Sequence, residues 1–559
     1  MNNKVPGRLA LTLIALLFQL APATAQVSIR AKSRDDGGSS LVDPPKLVVG
    51  IVVDQMRFDY LTRYWDHYGE GGFRRLVGEG FLGRNHHFNY LPTKTAPGHA
   101  SIYTGATPSV HGILGNEWYD KPSEAEVYCV DDATAEPVGT AGPDGRKSPH
   151  RLLVTTLTDQ LELHTQRRSK VVAISLKDRG SVLPAGHLAD AAYWYEDHTG
   201  HWISSSYYMD QLPQWVQAFN NSGAANKYKI PWETLEPIGT YVESGPDYNT
   251  YEDTFVGESS PVFPHDIPGL WDANGGYKMI RYSPFGNSLT VDFALEALEE
   301  EELGMDPWTD FLSISFSSTD HVGHDYGVNS KEVQDTYIRL DRDLERLLRQ
   351  LDRKVGEGNY TLFLSADHGA GQVSTYLADL KVPGSYFSFD AFRGELDEFI
   401  TFTYGVDALI KYIINNQIFL DHDLIRNLGL EPGEVQRKLA DEILGYEGIE
   451  TVYTASEMHL GSAEDGLAAL LRNGYNQKRS GDILYVTASG RTDYRTGSDH
   501  GSPFNYDTHV PLILFGKGIR QGSLTRRTQI TDIAPTLSVL LGIAFPSGST
   551  GEPITEALD

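Results

Sequence analysis

Short, uninterrupted apolar runs punctuate this chain. LVVGIVV follows Lys46 and ends at Asp54; VVAISL begins at Val171, FLSISFSS at Phe311, YTLFLSA at Tyr360 and VPLILFG at Val510. Runs of this length, rich in β-branched residues and without polar alternation, mark strands buried on both faces. Between several of them the period changes. From Val333 to Val355, the residues Tyr337, Leu340, Leu344, Leu347, Leu348 and Leu351 recur at helical spacing. Strands alternating with helices predict an α/β fold, with a mostly parallel central sheet flanked by helices. Two long stretches break the alternation: about 185–285, rich in Tyr, Trp and Pro, and about 371–480, with amphipathic segments of its own. Both are expected to be inserted regions that cap a site.

The first residues follow a different pattern. Lys4 and Arg8 flank the start of an apolar stretch, Leu9 to Ala21, and Ala23-Thr24-Ala25 supplies small residues after it. That is the layout of a secretory signal cleaved near Ala25, its apolar part too short to span a bilayer as a folded helix. The expected organisation is a signal peptide at 1–25, a polar flexible leader at 26–45 and a folded domain at 46–559. The expected location is the periplasm or the exterior.

Charge narrows the partners. Asp and Glu number 75 against 47 Lys and Arg, a net −28, and losing Lys4 and Arg8 with the signal takes it to about −30. Such a surface repels nucleic acid and anionic membranes, and no nucleic-acid-binding signature is present. An anionic substrate would need a local positive site. The one cysteine, Cys129, excludes an internal disulfide and disfavours cysteine-based metal binding or catalysis. It is expected to be a buried apolar filler.

The chemistry collects where strands end, which is where open α/β sheets bind ligands. The first strand ends in Asp54. The strand from 311 runs into Asp320 and His324, the strand from 360 into Asp367 and His368, and His500 precedes the last one. Singly, each reads as a turn former, a helix cap or a packed histidine. Three Asp and three His at strand ends together read as metal ligands. Mixed carboxylate and imidazole donors suit zinc, and also manganese or iron, and six of them are about what two ions need when each keeps an open position. Asp320 and His324, four apart, share one face if they open a helix. His99, His321 and His509 are read as structural or as supports behind the ligands.

The pieces VVDQMRFDYL, PTKTAPGHASIYTG, HGILGNEWYD, SLKDRG, STDHVGHDYG, ADHGA and DHGSPFNYDTHVP together resemble the alkaline phosphatase superfamily. The resemblance is closest to the phosphate-irrepressible (PafA-type) alkaline phosphatases with a threonine nucleophile, and it extends from about 48 to 516. It implies an alkaline-phosphatase-like catalytic domain with two zinc ions. Asp54, Thr95, Asp367 and His368 would surround one ion; Asp320, His324 and His500 would hold the other. Thr95 would be the nucleophile, sitting at the N-terminus of a helix starting near Ala96–Pro97, where free N–H groups favour an anion. Zinc would lower the pKa of its hydroxyl. Thr93 and Pro92 would shape the turn.

Asn116 resembles the amide that binds a phosphoryl oxygen, and Lys177 and Arg179 the cationic pair that contacts the substrate. The alternation of Lys177 and Arg179 on an extended segment would point both to one side. Two added cations favour a monoester dianion over a diester. The implied activity is phosphate monoester hydrolysis through a phosphothreonine at Thr95, on small-molecule esters, by an expected monomer. The rivals are a phosphodiesterase or nucleotide pyrophosphatase of the same superfamily, a sulfatase, and an inactive phosphate-binding relative. The pair argues against the first. The sulfatase nucleophile motif is absent, its place being taken by TAPGH. An intact ligand set argues against the inactive relative.

Overall fold

The apolar run after Lys46 becomes a strand, Leu47–Val53, in which every residue is buried. It lies near the middle of a ten-stranded sheet and pairs in parallel with Asp310–Phe316 on one side and Tyr360–Ser365 on the other. The structure, a computed structural model, describes residues 43–382, 386–461 and 465–559. The signal peptide expected at 1–25 and nearly all of the leader expected at 26–45 lie outside the described residues.

Outward from Asp310–Phe316 come Val171–Ser175 and Ala191–Glu196, both parallel, then His201–Ser205, antiparallel. Outward from Tyr360–Ser365 comes Leu512–Gly516, which runs antiparallel. The sheet is therefore mixed at its margins and parallel at its centre. Among the residues of the aromatic-rich stretch beginning near 185, two strands extend this sheet. Trp202 and Tyr193 are buried there against Phe293, with Trp202 and Phe293 stacked at 4.3 Å. These aromatic residues belong to the core.

The long helix spans Lys331–Leu351, two residues earlier than its apolar pattern suggests, because the Ser330 hydroxyl accepts from Val333 N and caps the first turn. After Leu351 the chain widens into a π turn, Asp352–Gly356. Four strands, Ile410–Ile414, Gln417–Leu420, Ile449–Thr454 and Ile483–Thr487, form a separate antiparallel sheet. Helices Phe389–Tyr404 and Pro432–Leu444 share its core through Phe392, Leu396, Val435 and Leu439. No helix among the described residues is long and apolar enough to cross a membrane.

Candidate metal and phosphoryl site

Thr95 is the first residue of a ten-residue helix, Thr95–Thr104, that is buried throughout. Lys94 occupies the cap position, extended and without a side-chain cap bond. Thr95 is therefore not spending its hydroxyl as a helix cap; its Oγ1 lies 3.5 Å from His368 Nε2. The helix can approach this closely because residue 98 is glycine: a Cβ there would lie 2.2 Å from the Asp367 carbonyl oxygen.

Asp320 and His324 lie on one helix, Ser318–Tyr326, and meet as their spacing predicts, His324 Nε2 standing 3.2 Å from Asp320 Oδ1. His368 Nε2 lies 3.4 Å from Asp54 Oδ1, and His500 Nε2 3.8 Å from Asp320 Oδ1. The His368 and His500 rings stack at 3.5 Å. Two triads are compact enough to hold an ion each, Asp54–Asp367–His368 and Asp320–His368–His500, so His368 stands between the two groups.

The donor chemistry fits divalent metal ions. His324, His368 and His500 each donate Nδ1–H to a backbone carbonyl, of Ser498 at 2.7 Å, Gly369 at 2.9 Å and Thr93 at 2.7 Å. Each ring then offers the lone pair of Nε2 to the site, the tautomer a ligand needs. Burial pushes His368 below the usual imidazole range; burial, with His368 and His324 nearby, pushes His500 well below it. Asp54 Oδ1 and Asp367 Oδ2 are buried and accept no hydrogen bond. Burial, followed by the charges of Asp320 and Asp367, drives the Asp54 carboxyl well above its ordinary value. Burial would raise Asp367 too, but His368 and His99 bring it to about 2. Such a concentration of uncompensated carboxylate is costly unless cations meet it.

Lys177 meets part of that charge. Its ammonium lies 2.6 Å from Asp54 Oδ2 and 2.5 Å from Asp320 Oδ2, bridging a carboxylate of each group. The strand stops at Ser175, Lys177 caps the helix Asp178–Ala185, and Arg179 lies inside that helix. The extended-segment geometry expected for the Lys177–Arg179 pair is thus corrected: a strand-to-helix turn, with Asp178 at the helix N-terminus, aims the two side chains differently. Arg179 Nη1 donates to Tyr128 Oη at 2.9 Å, and its buried Nε has no protein partner. Asn116 accepts from Ala96 N through Oδ1 at 3.0 Å, which fastens the start of the Thr95 helix and leaves its Nδ2–H groups for another acceptor.

One participant escapes the sequence pattern, and a second is legible there only as a support. Gln55 donates from Nε2 to Asp320 Oδ1 at 2.8 Å and from its backbone N to Asp367 Oδ1 at 3.2 Å. It adopts a positive φ of 64° and packs so close to Gly323 that any Cβ there would meet its amide. No periodicity signals such a residue; only its position after Asp54 does. His99, read as a support, hydrogen-bonds the Thr95 carbonyl at 2.9 Å and Ser315 Oγ at 2.8 Å and stands 3.3 Å from Asp367 Oδ2. Its place four residues after Thr95, on the same helix face, is the legible signal. His321 packs on Tyr282 and His509 stacks with His87 and Phe58.

Fold and site define an α/β protein whose carboxylates and imidazoles converge on a helix-borne hydroxyl, in groups able to hold metal ions. The chain belongs to the type I phosphodiesterase / nucleotide pyrophosphatase family of the alkaline phosphatase superfamily, and the family model matches residues 48–503. It is 44% identical to alkaline phosphatase PafA of Elizabethkingia meningoseptica, over 93% of this chain and 96% of that one. It is 43% identical to alkaline phosphatase PhoV of Synechococcus elongatus, over 98% of each. A Myroides odoratus protein named as a calcium-transporting ATPase is 46% identical over 93% of this chain and 96% of its own. The crystal structure of wild-type PafA superposes with a TM-score of 0.90, at 44% identity, covering 93% of this chain and all of that one.

Proposed function

We propose that this chain hydrolyses phosphate monoesters, with Thr95 as nucleophile and two zinc ions as cofactors. The observation that carries the reading is the convergence, beside the start of the Thr95 helix, of the Thr95 hydroxyl, two metal-competent groups and the Lys177 ammonium that bridges them. Two relatives named alkaline phosphatases match almost end to end, and a PafA variant has been solved with a threonine, an asparagine, a lysine and an arginine substituted, the same four residue types as Thr95, Asn116, Lys177 and Arg179. The transport name of the Myroides relative is set aside because the structural match is to a phosphatase.

Asp54, Thr95, Asp367 and His368 would hold one ion and Asp320, His324 and His500 the other. Bound there, zinc would acidify the Thr95 hydroxyl, activate water and offset developing phosphoryl charge. Asn116 Nδ2 and the Arg179 guanidinium bind phosphoryl oxygens; Lys177 adds positive charge from the side of Asp54 and Asp320. Thr95 Oγ1 attacks phosphorus in line, the ester oxygen leaves as an alcohol, and water then cleaves the phosphothreonine to release phosphate. The free N–H groups at the start of the Thr95 helix favour the anion throughout.

Export after cleavage near Ala25, action as a monomer and small-molecule esters as substrates complete the reading. N-terminal sequencing of the exported protein should begin at Gln26; an intact Met1 start would remove the export step. The central test is kcat/KM on a phosphate monoester and its matched diester, with a Lys177→Ala, Arg179→Ala double variant. A monoester preference that falls by about two orders of magnitude in the variant supports the reading. A diester preference in the unmodified protein would transfer it to the phosphodiesterase branch that the family's name carries.

A further inference from the structure

A guanidinium on a flexible stem must be held if its fork is to meet a phosphoryl group in one orientation. For Arg179 the hold comes from a residue about fifty positions earlier, Tyr128, at the end of the strand Ala125–Tyr128. Its hydroxyl accepts from Arg179 Nη1 at 2.9 Å and donates to Asp178 Oδ1 at 2.5 Å. Asp178 Oδ2 lies 3.2 Å from Lys147 Nζ, and that ammonium stands 4.8 Å from the centroid of the Tyr128 ring.

The order of donors is fixed. Arg179 can only donate and the Asp178 carboxylate can only accept, so the single phenolic proton points to Asp178 and a lone pair faces Arg179. Asp178 also takes the Arg179 backbone N–H at 2.6 Å, which closes a small ring of contacts around the guanidinium. Arg179 Nε stays buried without a protein partner. The same two-stranded hairpin carries Asn116 at the same end, on the neighbouring strand: Glu117–Asp120 pairs with Ala125–Tyr128, Glu117 lies opposite Tyr128, and Cys129 N donates to the Asn116 carbonyl at 2.8 Å. One hairpin thus places both an expected phosphoryl amide and the anchor of the expected phosphoryl guanidinium.

We propose that Tyr128 is the positioning residue for Arg179, holding Nη1 so that the remaining donors face the phosphoryl group, and that this hold sets part of the preference for monoester dianions. The proposal rests on the monoesterase reading above. Its test is kcat/KM of Tyr128→Phe on a phosphate monoester and its matched diester, in the native and Arg179→Ala backgrounds. The expected result is a fall of about tenfold on the monoester, the scale of one hydrogen bond to a charged group, with kcat and KM both moving. The diester rate should stay within about twofold, and the effect should vanish in the Arg179→Ala background. An equal loss on both esters, or the same loss in both backgrounds, overturns the proposal.

The diester rate also reports folding. If Tyr128→Phe does not fold, Asp178→Asn tests the same relay, with a smaller loss confined to the monoester expected and a loss on both esters overturning it. If the native protein turns over no monoester, that reading fails by itself. The relay is then read from calorimetric affinity for inorganic phosphate, which Tyr128→Phe must weaken only when Arg179 is present.

Discussion

Two buried groups of histidine and carboxylate in this molecule are built in opposite ways. Around His265, both ring nitrogens face carboxylates: Nδ1 lies 2.9 Å from Glu258 Oε1 and Nε2 lies 3.3 Å from Glu332 Oε1. Burial would lower its pKa, but the two glutamates overcome that and raise it to about 9. At the strand ends, His324, His368 and His500 turn Nδ1 to backbone carbonyls, and carboxylate oxygens of Asp54 and Asp367 go without hydrogen bonds. The first arrangement pairs a charged ring with its anions and stabilises the fold. The second keeps the Nε2 lone pairs of His368 and His500 facing anionic oxygens, which is useful only to a cation. The atom that each ring nitrogen faces, more than burial or residue type, separates a structural histidine from a ligand.

The sharpest break of that contrast is Thr95→Ala. Turnover should fall by about three orders of magnitude or more, while zinc content by elemental analysis is partly retained and the thermal midpoint holds. Substantial turnover would remove Thr95 as nucleophile. Next in size is chelation. Dialysis against a strong chelator should abolish activity and zinc should restore it; restoration by magnesium alone would contradict the imidazole-rich ligand set.

His265→Ala should do the reverse, costing about 3–5 kcal/mol of stability by leaving Glu258 and Glu332 without their cation, with kcat unchanged well below the unfolding temperature. A large loss of kcat in a folded variant would erase the distinction. The smallest effect is in pH. A folded pKa raised above the unfolded value gives stability that is complete below about 6.5 and is lost as pH rises through about 9. The thermal midpoint should therefore decline across that window, and less so in His265→Ala.

Much of this was readable because burial writes itself into sequence. Leu47–Val53 and Tyr360–Ser365 are apolar throughout since both faces of a central strand are covered. The same uniformity hides direction, so nothing in the run at 512–516 says that it lies antiparallel. Trp202 and Tyr193 look like cap residues by composition, yet they pack on Phe293 because aromatic rings fill a core as readily as they line a cleft. At the site, residue types at strand ends pointed to ligands, whereas Gln55 and Tyr128 work through long-range contacts that leave no local period. Lys177 shows the limit plainly: its type was legible, its bridge between Asp54 and Asp320 was not.

The Leu512–Gly516 strand has a consequence for how the protein matures. Thr93 orients His500 through its carbonyl, and Thr361–Ser365 pairs with 512–516, so residues from near both ends of the folded chain must meet before the site exists. A chain still lacking its last hundred residues has no His500 and no partner for that edge. Contacts this distant in sequence form late and slowly. Catalytic competence should therefore arrive as a single late event, making hydrolysis a reporter of finished folding instead of a property that grows as the chain lengthens.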